Sequence, residues 1–322
     1  MSLSDATLAR LAEVMEAPDL AGTKYELRGR VGRGGMGTVW RAFDRELGRE
    51  VALKVMNGPD PPPGGEARLR TEAQVLARLE HPGLVPVHDL GTLPDGRLFY
   101  AMKLVRGRRL DEHVRDLRSA AARLRVFERI CEAVAFAHAH GVIHRDLKPP
   151  NVMVGPFGEV LVLDWGVAKV LADAEPAVVP AVDPPAARGV DVDAATLTAA
   201  GTVLGTPGYM APEQARGESA VGVAADVYAL GALLSFLAGE DPPRALSAVI
   251  ARARAPRPED RYPAVGALQE DIARFLSDLP VSAYAERPLE RARRLAAKYR
   301  APLVLVLAYL VMRALLAFVA RV

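Results

Sequence analysis

The feature that most limits what this chain of 322 residues can fold into is a change of pattern near Gly107. Before that residue, short β-branched and aromatic segments between glycine-rich turns predict strands. After it, the segment 120–140 carries apolar residues at helical spacing and stops at Gly141. A strand-rich part followed by a helix-rich part predicts an α+β protein with two lobes.

Composition excludes several other classes of protein. The chain is 50% hydrophobic and 25% charged, which is too apolar for a disordered protein. Cys131 is the only cysteine, so a disulfide framework and a four-cysteine zinc site are both impossible. The net charge of +2 includes eight basic and two acidic residues in 282–322, which leaves −4 for residues 1–281. A body of that sign argues against nucleic-acid binding.

The last part of the chain is its most apolar. Between Leu303 and Ala320 the only charged residue is Arg313, and a basic segment precedes this stretch. About 20 apolar residues can cross a bilayer, and basic residues before such a span indicate the cytoplasmic side. We therefore predict a basic juxtamembrane segment at 282–300 and a transmembrane helix at 301–322. The chain would then be a single-pass protein of the inner membrane, with a cytoplasmic body and no domain beyond the span. Arg313 favours the alternative, a buried or surface-lying helix.

The first motif with chemical meaning is a run of glycines. Gly32, Gly34 and Gly37 are followed directly by Thr38 and Val39, a strand-like pair. Glycines at this spacing let backbone N–H groups approach phosphates, and the strand after them indicates a hairpin rather than the start of a helix. An ordinary hairpin turn is the alternative for this motif alone.

The second motif is Lys54, in the apolar strand 51–55, together with Glu72 on a helix predicted at 66–79. A lysine in an apolar strand needs a partner when it is buried. A carboxylate on a helix can supply that partner and leave the ammonium free to reach phosphate oxygens. A surface lysine and a solvated glutamate are the alternative for an isolated pair.

Two further motifs supply oxygen ligands. The segment 144–151 contains Asp146 between basic residues, which keep a carboxylate ionised while it can still accept a hydroxyl proton. Asn151 offers a neutral oxygen suited to Mg²⁺. Asp164, at the end of an apolar strand, offers a second ligand for the same hard cation.

In this order, the motifs resemble the signature of serine/threonine protein kinases of the eukaryotic type, and specifically of their bacterial members. The sixth motif of that signature is present as Ala211, Pro212 and Glu213. The resemblance implies ATP-dependent phosphorylation of serine and threonine hydroxyls on proteins. ATP and Mg²⁺ (or Mn²⁺) are the cofactors that it implies.

The resemblance also implies a bilobal protein-kinase fold. Its β-rich N-lobe and the start of the hinge would occupy 25–104, and its helical C-lobe 105–281. An N-terminal helical extension would precede it at 1–24. The segment 172–195 is rich in proline, alanine and acidic residues, so we expect a flexible insert there in the activation segment.

For the nucleotide, the resemblance implies a glycine loop over the phosphates, an adenine pocket, a gatekeeper and a hinge. The residues of this site would be Val31, Gly32, Gly34, Gly37, Val39, Ala52, Lys54, Met102, Lys103, Val105 and Met153. Lys54 would bind the α- and β-phosphates and would be held by Glu72.

For catalysis, the resemblance assigns four further residues. Asp146 would orient and deprotonate the acceptor hydroxyl, and Lys148 would lie near the γ-phosphate. Asn151 and Asp164 would hold the metal ion.

Several residues would support this site. By the resemblance, Glu213 would pair with Arg261, and Asp226 would fix the catalytic loop. His138 and His140 have no carboxylate or cysteine near them in sequence, so we assign them to packing or to the end of their helix.

Arg145 implies regulation, because in this family an arginine before the catalytic aspartate commonly receives a phosphate from the activation segment. The candidate acceptors are Thr196, Thr198 and Thr202. We expect phosphorylation in trans within a homodimer. Thr206 would bridge the catalytic aspartate and lysine.

One departure from the family pattern leaves alternatives open. After Gly231 the chain passes almost directly from 232–237 to 245–254, without the loop and helix that family members usually have there. An ATP-binding pseudokinase or a membrane-tethered signalling scaffold is therefore the alternative to an active kinase. Phosphorylation of a small molecule is a weaker option.

Overall fold

The computed structural model of the chain describes residues 17–34, 37–58, 64–165, 169–170, 208–218, 221–288, 290–292 and 300–319. Several predictions fall outside these residues. They are the first sixteen residues of the N-terminal extension, the insert at 172–195, the residues Thr196, Thr198, Thr202 and Thr206, residues 289 and 293–299 of the predicted juxtamembrane segment, and residues 320–322 of the predicted transmembrane helix.

The first lobe is built on one antiparallel sheet with the strand order β1-β2-β3-β5-β4. Its strands are β1 (Tyr25–Arg33), β2 (Gly37–Asp44), β3 (Arg49–Met56), β4 (Val87–Thr92) and β5 (Leu98–Lys103). Trp40, Leu53 and Phe99 form part of a buried cluster on this sheet. The prediction of a strand-rich first lobe is confirmed.

One helix, α1 (Gly65–Arg78), packs against this sheet. Its apolar stripe is buried because Leu69 and Ala73 contact a cluster that includes Leu98 and Tyr100 of β5. Of the three positions between these two apolar residues, Glu72 is the one that is also buried. The helical spacing thus directs a carboxylate towards the sheet.

The second lobe is mainly helical. Its helices include α2 (Leu110–His113), α3 (Ala120–Ala139), α4 (Pro212–Ala215), α5 (Val223–Ala238), α6 (Arg244–Ala253) and α7 (Val265–Leu276). Short strands accompany them, β6 (Arg108–Arg109), β7 (Val142–Ile143), β8 (Val152–Val154), β9 (Val160–Val162) and β10 (Lys169–Val170). Ser119 caps α3 by accepting a hydrogen bond from the N–H of Ala122 at 3.1 Å. Phe127, Leu233 and Leu268 lie in one core shared by α3, α5 and α7.

The connection between α5 and α6 is short. Helix α5 ends at Ala238 and α6 begins at Arg244, so only residues 239–243 join them. Gly239 has φ of 84° at the end of α5, a left-handed conformation that glycine adopts without steric cost. This agrees with the missing loop and helix inferred from the sequence.

The C-terminal helix, α8 (Arg300–Val319), follows the predicted juxtamembrane segment. Among the described residues, no helix combines the length and the apolarity that crossing a membrane requires. The predicted transmembrane helix is therefore not found. Arg313 lies exposed on α8 among its apolar residues.

Candidate active site

The glycine-rich hairpin between β1 and β2 covers one side of the candidate site. Gly32 pairs with Val39 across the two strands, and the N–H of Gly34 donates to the carbonyl oxygen of Gly37 at 2.9 Å. A Cβ on Gly37 would lie 2.7 Å from the carbonyl oxygen of Val55. Any side chain at Gly37 would therefore force the hairpin away from β3.

Asn57 holds this hairpin, a role that the sequence did not suggest. Its side-chain N–H donates to the carbonyl oxygen of Gly34 at 3.0 Å. Its side-chain oxygen accepts a hydrogen bond from the hydroxyl of Thr38 at 2.7 Å. Both partners lie in the hairpin, so one side chain fixes its two arms. No motif marks Asn57, because the contact forms only when β3 pairs with β2.

Lys54 and Glu72 form a buried ion pair. The Lys54 Nζ lies 2.7 Å and 2.9 Å from the two carboxylate oxygens of Glu72. The two side chains are only 9% and 1% exposed. The hydroxyl of Tyr100 donates to Glu72 Oε1 at 2.9 Å, a second partner that was not predicted. Together these bonds attach the carboxylate of α1 to two strands of the sheet, β3 through Lys54 and β5 through Tyr100.

The Lys54 ammonium also reaches the other lobe, where Asp164 Oδ1 lies 3.4 Å from Nζ. Burial lowers the pKa of Lys54, but the charges and hydrogen bonds of Glu72 and Asp164 raise it, and the net result is a pKa above the usual value. Lys54 therefore carries a positive charge where the two lobes meet. Burial raises the pKa of Tyr100 well above its usual value, and the charge and hydrogen bond of Glu72 raise it further.

The loop between β7 and β8 contains three of the residues predicted for catalysis and metal binding, Asp146, Lys148 and Asn151. Asp146 Oδ2 accepts hydrogen bonds from Lys148 Nζ at 2.7 Å and from the side-chain amide of Asn151 at 3.2 Å. The same amide nitrogen donates to the backbone oxygen of Asp146 at 2.8 Å. The Asn151 N–H group is thus engaged on the Asp146 side, which turns the amide oxygen away from that residue.

His144 fixes the direction of this loop. Its Nδ1 accepts a hydrogen bond from the N–H of Asp146 at 3.2 Å, and its Nε2 lies 2.9 Å from the carbonyl oxygen of Leu163. An accepting Nδ1 and a carbonyl partner at Nε2 together select the neutral ring with its proton on Nε2. Trp165 packs on the same ring, with centroids 4.6 Å apart.

Asp226 of α5 holds the loop from below. Its carboxylate, fully buried, accepts hydrogen bonds from the N–H groups of His144 and Arg145, each at 2.8 Å. Arg145 has φ of 70°, a conformation that costs a non-glycine residue about 1–3 kcal/mol, and these bonds help to hold it. Burial raises the pKa of Asp226, but the hydrogen bond and charge of His138 and the contacts of His144 lower it below its usual value.

The assignment of His138 needs correction. Instead of only packing at its helix end, it bonds Asp226 through Nε2 at 2.7 Å. The sequence could not indicate this partner because it lies on another helix, 88 residues further along the chain. His140, in contrast, stays at the helix end, where its Nδ1 lies 2.8 Å from the carbonyl oxygen of Phe136.

Of the two predicted metal ligands, Asn151 belongs to the catalytic loop and Asp164 follows β9 beside it. Asp164 has φ of 64° and a half-exposed side chain, and the backbone of Leu163 beside it is bonded to Asn151 at 2.8 Å. The described residues contain no group of three or more His, Cys, Asp or Glu side chains that could hold a metal ion. One carboxylate and one amide oxygen nevertheless suit Mg²⁺, because that ion is commonly held by one or two protein oxygens together with substrate phosphates.

The predicted adenine pocket spans strands of both lobes. Ala52 of β3 pairs with Met102 of β5, and Lys103 ends β5 at the start of the hinge that leads to Val105. Val39 lies opposite Lys54, and Met153 lies on β8 in the other lobe. Val31 on β1 is 57% exposed. The full set predicted here is Val31, Gly32, Gly34, Gly37, Val39, Ala52, Lys54, Met102, Lys103, Val105 and Met153.

A second buried ion pair lies in the helical lobe. Arg261 NH1 and NH2 donate to the two carboxylate oxygens of Glu213 at 2.7 Å and 2.8 Å. The next residue, Gln214, donates from its side chain to the backbone oxygen of Arg145 at 2.9 Å. The segment around Glu213 is thereby tied to the catalytic loop. Arg145 Nε is buried and has no hydrogen-bond partner among the described residues.

Fold and site together define a class. A glycine hairpin faces a buried lysine–carboxylate pair, and a loop of acidic, basic and amide side chains from a second, helical lobe closes the same site; this is the architecture of a bilobal kinase. The chain belongs to the protein kinase domain family, which its sequence matches over residues 25–289. Membership implies ATP and a divalent metal ion as cofactors.

The chain is similar to several bacterial serine/threonine-protein kinases. It is 39% identical over 215 residues to PknA of Mycobacterium tuberculosis, covering 65% of this chain and 45% of that protein. It is 40% identical over 232 residues to the DNA damage-responsive kinase RqkA of Deinococcus radiodurans, covering 70% of this chain and 31% of that protein. The chain thus spans less than half the length of these curated relatives.

Among solved structures, the fold is similar to the crystal structure of the Mycobacterium tuberculosis PknI kinase domain. The TM-score is 0.55 at 25% sequence identity, over 80% of this chain and 98% of that one. The likeness supports the kinase fold of both lobes.

Proposed function

We propose that this chain transfers the γ-phosphate of ATP to serine and threonine hydroxyls of proteins. The observation that carries the proposal is the position of Lys54, bonded to Glu72 in one lobe and 3.4 Å from Asp164 of the other. An assembled pair of this kind is what binds nucleotide phosphates in kinases. The similarity to proteins named serine/threonine-protein kinases supports the substrate class.

The chemistry that the residues perform is mainly positioning and charge neutralisation. Lys54 would hold the α- and β-phosphates beneath the glycine hairpin. Asp146 would orient the acceptor hydroxyl and take its proton at Oδ2, while Lys148, 2.7 Å from that oxygen, would neutralise charge on the transferred group. Both ring nitrogens of His144 are engaged by the backbone, Nδ1 by the N–H of Asp146 and Nε2 by the carbonyl oxygen of Leu163, so Asp146 is left as the base.

Asn151 and Asp164 would hold the divalent ion, which we propose to be Mg²⁺ (or Mn²⁺). The ion would supply positive charge to the phosphate oxygens. The hydrogen bond from Asn151 to the backbone of Asp146 keeps the metal ligand and the base in one rigid loop.

We also propose regulation by phosphorylation in trans between two copies of the chain. Arg145 Nε is buried without a partner among the described residues, and its NH2 has only the carbonyl oxygen of Val221 at 3.4 Å. A phosphate on Thr196, Thr198 or Thr202 would satisfy this guanidinium. Mass spectrometry after incubation with ATP tests this, and the absence of phosphate from all three threonines would contradict it.

A pseudokinase or signalling scaffold is the second candidate, and the short connection at 239–243 favours it. The full chain with labelled ATP, Mg²⁺ and a generic protein acceptor distinguishes the two. Incorporation that disappears in both Asp146→Asn and Lys54→Met supports the kinase. ATP binding without incorporation supports the scaffold.

Location at the cytoplasmic face of the inner membrane stays a prediction. It rests on the basic segment at 282–300 and the apolar residues after it. Fractionation of cells that express the full chain tests it, and recovery of the chain only in the soluble fraction would contradict it.

A further inference from the structure

An open cleft of about 410 Å³ lies between α5 and α6, next to the short connection that joins them. Its lining includes Tyr228 and Ser235 of α5, Ser247 and Ile250 of α6, Glu240 in the connection, and Arg254. These residues carry both charges and apolar groups. Such a mixture is typical of a surface that binds a peptide segment in a fixed direction.

Arg254 presents a positive charge to one end of this cleft. It is half-buried, and its Cζ lies 5.7 Å from the centroid of the Tyr228 ring. Its stem packs on α5 at Gly231, where a Cβ would lie only 2.8 Å from Arg254 Cγ. Within the described part of the chain, Arg254 forms no ion pair.

Arg261, unlike Arg254, has an acidic partner. Arg261 Cζ lies 5.0 Å from the same Tyr228 ring, but its guanidinium is bonded to both carboxylate oxygens of Glu213. Of the two arginines on this ring, one is satisfied inside the lobe and the other is open to a ligand. A half-buried cation gains most from a carboxylate partner.

The opposite end of the cleft is acidic. From Tyr228 to the end of α5 at Ala238 there are ten steps of helical rise, about 15 Å, and Glu240, which is exposed, lies two residues beyond that end. Helix α6 returns along α5, because Ala253 lies beside Gly231. The cleft therefore has Arg254 at one end and Glu240 at the other, separated by a length that about five extended residues would cover.

The Arg254 end lies beside the segment that carries Glu213. Arg254 lies over the Tyr228 ring, and Tyr228 packs against a cluster that contains Ala211, two residues after Tyr209. Tyr209 belongs to the segment that continues to Gln214, which is bonded to the catalytic loop at Arg145. A substrate leaving the acceptor position along this segment would meet Arg254 first.

We propose that this cleft docks an extended segment of the protein substrate, with an acidic residue at Arg254 and a basic residue about five positions away at Glu240. The inference rests on the proposed kinase activity and names the class of substrate that the activity would take. The cleft exists because α5 and α6 are joined so directly. In a chain that lacks the usual loop and helix after α5, this cleft would be the surface on which the substrate docks.

The test uses two peptides of identical composition, each with an acceptor serine. In one, glutamate precedes lysine in the docking segment, and in the other the order is reversed, over a series of spacer lengths. We expect the glutamate-first peptide to have a KM about tenfold lower, the effect of one charge-assisted contact. Arg254→Gln should abolish the difference, and Arg257→Gln, a nearby exposed arginine, should preserve it.

Other outcomes are distinguishable. If the full chain phosphorylates neither peptide nor any protein acceptor, the proposed function fails. If it phosphorylates both peptides with equal KM at every spacer length, the docking inference fails and the proposed function stands. A fluorescent glutamate-first peptide that binds wild type and Arg254→Gln equally without ATP would also overturn the inference. A dimer that Arg254→Gln dissociates, without peptide binding, would assign the cleft to a second copy instead.

Discussion

Two buried ion pairs, one in each lobe, have almost the same geometry. Lys54 lies 2.7 Å and 2.9 Å from the carboxylate oxygens of Glu72 in the sheet lobe. Arg261 lies 2.7 Å and 2.8 Å from those of Glu213 in the helical lobe. All four side chains are less than one tenth exposed.

What surrounds the cation differs. Arg261 also donates to the backbone oxygens of Ala224, Ala255 and Pro256, so protein atoms occupy its donors. The further partner of Lys54 is Asp164, which is half-exposed and belongs to the other lobe. An ion pair whose cation is surrounded by backbone carbonyls stabilises the fold. An ion pair whose cation faces a cleft can instead bind a ligand. Similar distances therefore indicate different roles.

The largest effect on stability should come from Arg261→Ala. It leaves Glu213 charged and buried without its partner, which typically costs about 3–5 kcal/mol of unfolding free energy. Denaturant unfolding measures the loss, with exposed Arg257→Ala as the matched control. The folded fraction should still bind ATP as wild type does. An unfolding free energy within about 1 kcal/mol of wild type would break the comparison.

Glu72→Gln should reduce activity strongly and stability only moderately. The amide keeps a hydrogen-bond acceptor for Lys54 but not the charge that fixes the ammonium, so kcat/KM should fall about 100-fold through misplacement. The loss of unfolding free energy should be smaller than in Arg261→Ala, because Lys54 keeps Asp164 as an acidic partner. If Glu72→Gln loses as much unfolding free energy as Arg261→Ala while its kcat/KM changes little, the Lys54–Glu72 pair mainly stabilises the fold.

Asn57→Ala should have a smaller effect on the same lobe. It removes the bonds to Gly34 and Thr38, and with them the restraint on the glycine hairpin. One such bond contributes about 1 kcal/mol, so the KM for ATP should rise about fivefold with little change in kcat. Steady-state kinetics at varied ATP checks this, and an unchanged KM would show that the hairpin does not need Asn57.

The smallest effect concerns pH. Burial raises the pKa of Glu213, but the hydrogen bonds and charge of Arg261 lower it by more, so the pKa in the folded protein lies below the usual value. Its contribution to stability is therefore complete above the unfolded pKa of about 4.3 and is lost as pH falls through the folded pKa. For Lys54, whose folded pKa is raised, the contribution is complete below about pH 10.4 and is lost above it.

Unfolding curves at a series of acidic pH values test this sign. Wild type should lose stability more steeply than Glu213→Gln below about pH 4. Parallel curves for the two proteins would contradict the assigned shift.

Residues in local motifs could be predicted from the sequence, but long-range partners could not. Lys54, Glu72, Asp146 and Asn151 were identifiable because each motif is short and their order is itself informative. Asn57, Tyr100 and His138 were missed, since each acts on a side chain or loop 19 to 88 residues away that only the tertiary fold brings near. The prediction of a transmembrane helix counted apolar residues along the sequence, and no such span is found among the described residues.

The central claim is that this site transfers phosphate to hydroxyl groups of proteins. The most direct measurement is the phosphoamino-acid content of a protein acceptor after incubation with the full chain, ATP and Mg²⁺, beside Asp146→Asn at equal folded fraction. The account predicts phosphoserine and phosphothreonine with wild type and a yield about 10²–10⁴ times lower with the variant, because the base that takes the hydroxyl proton is lost. Equal yields from the two proteins, or no phosphoamino acid with wild type, would contradict it.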